Sequence, residues 1–434
     1  MKLLFPIARK FLAVVIMAVS FTALALSLTS NVFAAESHAE PAAQATSAAV
    51  DHGASATHDE VPVSAVKQFA YSYLVAFMFF LSLVLGSLFL VIIHHLFDSN
   101  WSVPIRRFLE HIACLSFPWM AILFVPIAVL AKTIYPWMSL DPAEDHALHA
   151  KAALFNMPAF YVVSSVLFLL WGWLSHGLRR ESLAQDKTGA ASHTKAMRRY
   201  AAGGIFIFAF SMTLAAIYWV KALEHQWFST MYGVYYFAGS VWTTLATAYV
   251  ITYWLKQTGP LRDVARERQF HDIGVLLLAF TVFYAYIHFS QYFLIWNAAV
   301  PEETFWYVKR EKGSWWGIGL VIVFGHFLVP FLSLLRIDAK KNISLMAPIA
   351  IWAWLMHYCD MQFNIMPVIH PNGVAIGIFD VLCFAGIGWL LFTLFKNSFA
   401  AHPPYPQKDP RWAETLGVYV PATGAHAASH GGGK

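Results

Sequence analysis

Polar side chains recur at helical spacing within one long apolar segment, which runs from Phe280 to Thr304. They are Thr281, Tyr284, His288 and Gln291. Their spacing puts them on one face of a helix. A polar face on a membrane-length helix is costly unless it meets other polar groups inside a bundle. We therefore predict that this helix turns that face inward, toward a buried polar seam.

A second apolar segment, IWAWLMHYCDMQFNIMP, repeats the pattern. His357, Asp360 and Asn364 lie at i, i+3 and i+7, so they share a helix face. An aspartate inside a membrane helix is a functional candidate, because an unpaired charge there is expensive. The alternative is a structural pair in which His357 only holds Asp360.

Two more titratable residues lie in apolar segments. His326 is near the middle of one segment, one turn before Pro330, and a core histidine beside a proline kink is the alternative interpretation. Asp380 lies in GIFDVLCF, toward the predicted outer half of the last segment, where a snorkelling or capped carboxylate would also fit.

Together these residues suggest a proton path, because a histidine or a carboxylate can both accept and release a proton. The candidate path consists of His288, Gln291, His326, His357, Asp360 and Asp380, with Asp272 and Glu110 as candidate entry points near the predicted cytoplasmic ends. The alternatives are a static hydrogen-bond network that fixes helix packing and, for the entry points, boundary charges that face water. We predict no catalytic residue and no cofactor or metal ligands in this chain.

The composition is that of an all-α polytopic membrane protein. Of the 434 residues, 59% are hydrophobic and 12% are charged, whereas a soluble domain has about 25% charged residues. The three cysteines lie in apolar runs, and the sequence contains no Gly-rich nucleotide loop, CxxCH haem attachment or four-Cys cluster pattern. Any redox chemistry would therefore come from partner proteins, and nothing indicates nucleic acid.

The apolar segments predict about ten transmembrane helices. Residues 1–35 form either a retained transmembrane anchor or a signal peptide, since NVFAAE resembles a cleavage site and the run before it is long enough to span. We favour retention. Residues 36–65 are rich in Ala, His, Ser and Pro, which predicts a disordered periplasmic linker. The remaining nine helices are predicted at 67–97, 108–133, 153–176, 200–222, 229–256, 270–297, 314–335, 344–366 and 373–396.

A weak internal repeat suggests how these helices group. The segments 69–93 and 228–252 align as aromatic-rich helices four spans apart, and 151–180 aligns similarly with 312–336. A four-span offset preserves orientation and is typical of parallel repeats. We therefore predict two four-helix bundles with peripheral helices. Their bounds are 66–227 for the first bundle, 228–367 for the second, 368–396 for the last transmembrane helix and 397–434 for a mobile cytoplasmic tail.

Lysine and arginine residues predict the orientation. They concentrate in the loops 177–199 and 257–269, before the third span and after the eighth. All four places fall on one side if both termini are cytoplasmic and ten helices span. Cleavage of the first helix would move the N-terminus outside without changing this assignment. Loop 297–313, rich in Trp and Tyr, is predicted to lie outside, with Glu224 and His225 at the same surface.

Four motifs in order resemble a known family. They are LEHQWFSTMYGVYYFAG, FYAYIHFSQYFLIWNAAVPEETFWY, GHFLVPFLSLL and MHYCDMQFNIMP. This run is similar to the F subunit (ActF) of alternative complex III, the bacterial quinol:cytochrome c oxidoreductase, within the NrfD-like membrane-subunit family of polysulfide reductases. The resemblance covers about 67–396 and departs at Cys359, to which we assign no role.

The resemblance implies a multi-pass subunit of the bacterial inner membrane. It would assist assembly and proton transfer as a non-catalytic part of an oxidoreductase, without a redox cofactor of its own. Its partners would be a paralogous C subunit and subunits bearing haem c and iron–sulfur clusters, in a lipid bilayer, with a terminal oxidase as a further candidate. The matching positions are His288, Gln291, His326, His357 and Asp360. Two alternatives remain open: a quinol-binding subunit, and a stand-alone ion-coupled transporter.

Overall fold

The computed structural model describes residues 63–417, which fold into helices and loops without a strand in that range. Nine long helices, labelled here in chain order, match the nine predicted segments. They are α1 Ala65–Leu96, α2 Val103–Val129, α3 Met157–Thr188, α4 Ala191–Trp219, α5 Tyr232–Thr258, α6 Glu267–Ala298, α7 Ser314–Leu334, α8 Ile343–Ile365 and α9 Ile378–Ala400. The all-α polytopic class is confirmed. The N-terminal anchor or signal peptide and the linker up to residue 62 lie outside the described residues.

Shorter helices connect or flank the long ones. A ten-residue helix, Pro301–Arg310, follows α6 and leads into α7. The others are Ala131–Ile134, Pro136–Ser139, His146–Lys151, Lys221–Glu224, Ile337–Lys341, Met366–Val368 and Trp412–Thr415.

Burial explains which helices tolerate polar residues. Seven of the nine are long and apolar enough to cross a bilayer. The other two, α5 and α8, are also long, at 27 and 23 residues, but carry more polar side chains. Both pack against α1, whose most apolar window is 89% buried. A helix shielded from lipid by its neighbours can hold polar groups, because those groups meet partners in the protein.

The first helices of the two predicted bundles, α1 and α5, pack against each other at the centre. A Cβ at Gly86 would lie 2.2 Å from Thr244 Oγ1 and 2.7 Å from the backbone oxygen of Ser240, so only glycine fits this crossing. Around this pair, α1 also packs against α2, α4, α8 and α9, and α5 against α4, α6 and α8. The division into bundles at residue 228 stays a prediction.

Two of the helices are interrupted near prolines. In α2, the α-helix gives way to a 3₁₀ turn at Cys114–Ser116 and resumes after Pro118. In α7, residues Ile322–Leu328 form a π-helical turn just before Pro330. Proline has no N–H to continue the ladder, so it frees a carbonyl one turn earlier and loosens the helix there. Trp352 of α8 stabilises the π turn by donating its indole N–H to the carbonyl of Gly325 at 2.7 Å.

Two predicted irregular segments are ordered instead. The basic loop 177–199 is almost entirely helical, because α3 continues to Thr188 and α4 starts at Ala191. The chain turns there at Gly189, whose φ of +72° suits glycine. The prediction of a mobile tail is wrong for the described part up to residue 417, where Asp409 and Arg411 are buried against the helix ends.

Candidate functional site

The centre of the site is Asp360 in α8, which is only 1% exposed. Its carboxylate accepts hydrogen bonds from the hydroxyl of Tyr235 in α5 and, at 3.2 Å, from Asn364 Nδ2 one turn along α8. The hydroxyls of Tyr235 and Tyr284 lie 3.0 Å apart, which extends the cluster to α6. Three helices thus supply polar groups to a carboxylate that no Lys or Arg contacts among residues 63–417. We call Asp360, Asn364, Tyr235 and Tyr284 the Asp360 cluster.

His326 lies beside this cluster in the π turn of α7. Its ring is fully buried and stacked between Trp242 and Tyr284, with centroid distances of 3.8 and 3.6 Å. Neither ring nitrogen has a hydrogen-bond partner in the described part of the chain. A buried polar group without a partner is rare and costs free energy. The two unpaired ring nitrogens therefore make His326 a candidate functional group within residues 63–417.

His357 faces the centre of the bundle but does not hold Asp360. Its Nε2 lies 2.9 Å from Ser82 Oγ of α1, and its Nδ1 has no partner among the described residues. Gly239 leaves room for the ring, because a Cβ there would lie 3.3 Å from Nδ1. The alternative interpretation, a structural His357–Asp360 pair, is wrong, since each residue bonds to other helices.

His288 lines a cavity between α6 and α7. Its ring is partly buried, with its centroid 5.5 Å from that of Tyr235. The cavity has a volume of about 590 Å³, and the exposed residues Phe289 and Val323 contribute to its lining. Its lining is mostly apolar and aromatic, with polar groups from Tyr284, His288, Tyr307, Arg310 and Glu311.

Gln291 belongs to the outer end of the same face. Its Oε1 accepts a hydrogen bond from Ser229 at 2.8 Å, and its Nε2 donates to the Tyr307 hydroxyl at 3.0 Å. Gln291 therefore ties α6 to the turn before α5 and to the helix Pro301–Arg310. Its side-chain hydrogen bonds go to Ser229 and Tyr307 rather than to Asp360.

Arg310 fixes the end of the helix that carries Asp360. Its guanidinium is 1% exposed, stacks on Trp306 at 3.5 Å and donates to the carbonyls of Phe363 and Asn364 at 2.9 Å. These carbonyls lie in the last turn of α8, where helix geometry leaves acceptors unsatisfied. Arg310 also pairs with Glu224 at 3.0 Å. It therefore acts as a charged C-terminal cap one turn from Asp360.

Glu224 is buried rather than at the surface where the sequence predicts it, and His225 is buried beside it. Burial alone would raise the pKa of Glu224, but the charges of Arg310 and of Lys309, at 2.7 Å, hold that pKa below its ordinary value. Glu224 is thus an ionised partner for two cations at this end of the bundle.

The other three carboxylates of the candidate path, Asp380, Asp272 and Glu110, lie outside the Asp360 cluster. Asp380 caps α9, accepting from the Gly377 N–H at 2.8 Å and from Gln362 Nε2 at 3.1 Å, which matches the capped alternative. Asp272 lies near the start of α6, 3.2 Å from His271 and 3.7 Å from Arg268.

Glu110, the third of these residues, neither faces water nor joins the other candidates. It pairs with Arg106 at 2.9 Å and Arg107 at 3.2 Å, and all three side chains are fully buried. Arg106 also contacts Asp409 of the tail. Burial would raise the pKa of Asp409, but Arg106 and Arg411 hold it well below its ordinary value.

Sequence periodicity missed the residues that contact the predicted ones. Tyr235 and Trp242 lie in an aromatic-rich helix where neither stands out, and Ser82 is one of several serines in α1. Arg310 is one of several charged residues in the loop 297–313, and nothing in the sequence singles it out. Within residues 63–417, no group of three or more His, Cys, Asp or Glu side chains is arranged to hold a metal.

Comparison with known proteins adds no assignment. No protein-family model matches the chain. No curated protein matches it either. The site itself offers a buried carboxylate, three histidines and hydroxyl groups, all of which can exchange protons.

Proposed function

We propose that this chain is a membrane subunit of a respiratory quinol:cytochrome c oxidoreductase of the alternative complex III type, and that it transfers protons through the Asp360 cluster. In this proposal haem c and iron–sulfur clusters belong to partner subunits, and the complex lies in a bacterial inner membrane. Support for the family comes from the four ordered motifs. Three of them contain His288, His326 and Asp360, each of which contacts Tyr235 or Tyr284.

One observation is the main support for proton transfer. Among residues 63–417, Asp360 is buried without a cationic partner. Two histidines have unpaired ring nitrogens in the same range: His326, stacked on Tyr284 of the Asp360 cluster, has two, and His357, in the same helix as Asp360, has one. A purely structural network would be expected to satisfy its buried polar groups. Unpaired nitrogens next to a buried carboxylate instead leave room for a water molecule or a proton to be bound and released.

The test is proton release per electron in vesicles that contain the assembled complex, comparing wild type with Asp360→Asn. The amide keeps much of the hydrogen bonding but cannot titrate, so the proposal expects normal copurification of the haem and iron–sulfur subunits and reduced proton release. Asp263→Asn, at an exposed loop position, is the matched control and should behave as wild type. Unchanged proton release in an assembled Asp360→Asn complex would exclude Asp360 from any relay.

Quinol binding is a second candidate function, and the cavity between α6 and α7 is the observation that favours it. An amphipathic aromatic ligand entering from the bilayer would find an apolar path, aromatic walls and hydrogen-bonding groups from Tyr284 and His288. Gly319→Leu would fill the cavity, where a Cβ has space at 3.6 Å from Phe363. Loss of binding of a short-tailed quinone analogue in this variant, but not in Gly203→Leu on an open surface, would support quinol binding.

The stand-alone transporter is the third candidate. Transporters of this kind are built with broken helices in corresponding positions of their repeats. The interruptions at 114–118 in α2 and at 322–328 in α7 do not correspond under the four-span repeat, which pairs α3 with α7. Ion uptake by vesicles that contain this chain alone would favour the transporter over a subunit of a larger complex.

A further inference from the structure

Two lysine side chains meet at the end of the bundle that is predicted to face outward. Lys151 ends the short helix His146–Lys151, and Lys221 starts the turn Lys221–Glu224 that follows α4. Lys221 is only 6% exposed, whereas Lys151 is half-buried. The two ammonium groups lie within hydrogen-bonding distance of each other. The folded chain therefore brings two like charges together at a largely buried place.

Neither ammonium group pairs with a carboxylate among residues 63–417. Lys151 donates a hydrogen bond to the carbonyl of His225 at 2.7 Å. The charge of Asp145 acts on Lys151, but its carboxylate lies 2.7 Å from His225 Nε2 and bonds there instead. Lys221 has its ammonium group 5.5 Å from the ring centroid of Phe155, and a ring face attracts a cation without neutralising its charge.

This arrangement leaves positive charge without a counter-charge. An ammonium group donates three hydrogen bonds and accepts none, so two protonated lysines cannot bond each other. A buried charge without a partner is costly. Burial, and then the charge of Lys151, lower the pKa of Lys221 to about 7, so about half of the molecules still carry the second charge at neutral pH. An anion between the two amines would provide an acceptor for both.

The surroundings of the pair indicate the kind of anion. It needs at least two oxygen atoms, because it must accept from two amines. Phe228, whose ring centroid lies 5.6 Å from Lys151 Nζ, is 47% exposed, and Leu154 is 53% exposed. The pair is therefore open on one side, next to apolar side chains at the end of the membrane-length helix α3. Phospholipid phosphate groups lie at this level of a bilayer.

We propose that Lys151 and Lys221 form a binding site for a phosphate group, supplied either by a phospholipid or by inorganic phosphate. Lys151 binds it from the surface, and Lys221 binds it from the buried side. The bound phosphate ties the segment before α3 to the turn after α4 and so stabilises the fold. This site is separate from the Asp360 cluster and does not depend on proton transfer there.

The test is the unfolding midpoint of the full-length chain in dodecyl maltoside micelles, which contain no phosphate. Inorganic phosphate is titrated at pH 6.5, with sodium chloride of equal ionic strength as the reference. The wild type should show a saturable stabilisation beyond that of chloride. Lys221→Met and Lys151→Met should each bind phosphate about tenfold more weakly, because each loses a charge-assisted hydrogen bond. The matched control is Lys132→Met, which is exposed and lies, like Lys151, between α2 and α3.

A second titration distinguishes the two sources of phosphate. Phosphatidylglycerol is added to the same micelles, and diacylglycerol, which lacks the phosphate, is its control. Stabilisation by the phospholipid at concentrations where inorganic phosphate has no effect would assign the site to a lipid headgroup. The reverse result would assign it to free phosphate. Either result supports the site if the stabilisation is lost in Lys221→Met.

Sulfate gives a readout that a merely structural lysine would not change. It is a tetrahedral oxyanion like phosphate, but its charge is the same at pH 6.5 and at pH 8.5. Its binding to the wild type should weaken about tenfold between these pH values, because Lys221 loses its proton over this range. This pH dependence should be absent in Lys221→Met.

Three results would overturn the proposal. They are a wild type that neither phosphate nor phosphatidylglycerol stabilises beyond its control, equal stabilisation of Lys221→Met and Lys132→Met, and sulfate binding to the wild type that does not change with pH. Lys221→Met removes a buried charge and should therefore fold. Its unfolding midpoint without added anion verifies this.

Discussion

The hydroxyl of Tyr235 in α5 donates a hydrogen bond to the carboxylate of Asp360 in α8, across 125 residues of sequence. The same hydroxyl lies 3.2 Å from Asn364 Nδ2 and 3.0 Å from the hydroxyl of Tyr284. The Tyr235 hydroxyl therefore contacts all three other members of the Asp360 cluster. It joins the helix at the centre of the protein to both helices that contain the predicted polar faces.

Tyr235→Phe should destabilise the protein by about 1–2 kcal/mol, because Asp360 loses a buried donor while the ring is retained. Tyr286→Phe is the control, since Tyr286 is 64% exposed on the outer surface of α6 and should be neutral. The measurement is the shift of the unfolding midpoint in mixed micelles. Equal midpoints for the two variants would show that the Tyr235 hydroxyl contributes nothing to stability.

Arg310→Lys should cost about 2–3 kcal/mol although it conserves charge. A lysine cannot reach the carbonyls of Phe363 and Asn364 while pairing with Glu224, so the last turn of α8 loses its cap. Arg336→Lys, at a position 81% exposed, provides the matched control with little expected effect. If both variants unfolded at the wild-type midpoint, the capping role of Arg310 would have to be abandoned.

Gly86→Ala should destabilise the contact between α1 and α5 by about 1–3 kcal/mol, since its Cβ meets a backbone oxygen that has no room to move. Gly203→Ala should do the opposite. A Cβ at Gly203 has no atom within 4 Å, and alanine favours the helix over glycine by up to about 1 kcal/mol. Opposite shifts of the unfolding midpoint are expected, and a stabilising Gly86→Ala would contradict the packing of α1 on α5.

Lys221→Met should stabilise the protein more at pH 6.5 than at pH 9.5. Burial, and then the charge of Lys151, lower the pKa of Lys221 from 10.5 to about 7. Between these two values the unfolded chain binds more protons than the folded one, so wild-type stability rises with pH across this window. Methionine has no charge to bury, and its advantage should therefore shrink as the pH rises.

Lys132→Met, at an exposed position, is the control for that pH dependence. Its effect on the unfolding midpoint should be the same at both pH values. A Lys221→Met effect that is equally independent of pH would mean that Lys221 titrates at its ordinary value in the folded protein.

Hydropathy predicted the nine described long helices because each must bury or expose an apolar surface of membrane length. It failed at 177–199, where the residues are polar and basic but are good helix formers, so the helices continue past the apolar region. It also failed at the tail. Asp409 accepts a hydrogen bond from Arg106, and Arg411 donates to the carbonyl of His94. Both partners lie about 300 residues away in sequence, and no local pattern indicates them.

The sequence predicted which helix faces point into the candidate site but not which residues those faces contact. Periodicity indicated that Asp360 and His357 face inward, because a repeat within one helix defines a face. It could not indicate what that face meets. Tyr235 and Ser82 come from other helices, and choosing the neighbours of α8 requires the three-dimensional packing. Asp380, Asp272 and Glu110 are carboxylic acids like Asp360, but they have different neighbours. The sequence pattern could not indicate this difference either.

The pairing of Asp409 with Arg106 and Arg411 has a consequence for the order in which the protein is made. Arg106 leaves the ribosome with the second described helix, but its tail partner is synthesised 303 residues later. Until then the only carboxylate that pairs with Arg106 among the described residues is Glu110, which also pairs with Arg107. The first helices to enter the membrane therefore reach their final arrangement only after nearly the whole chain has been translated. A nascent chain stopped after α9 would contain all nine described long helices, yet Arg106 at the start of α2 would still lack its contact with Asp409.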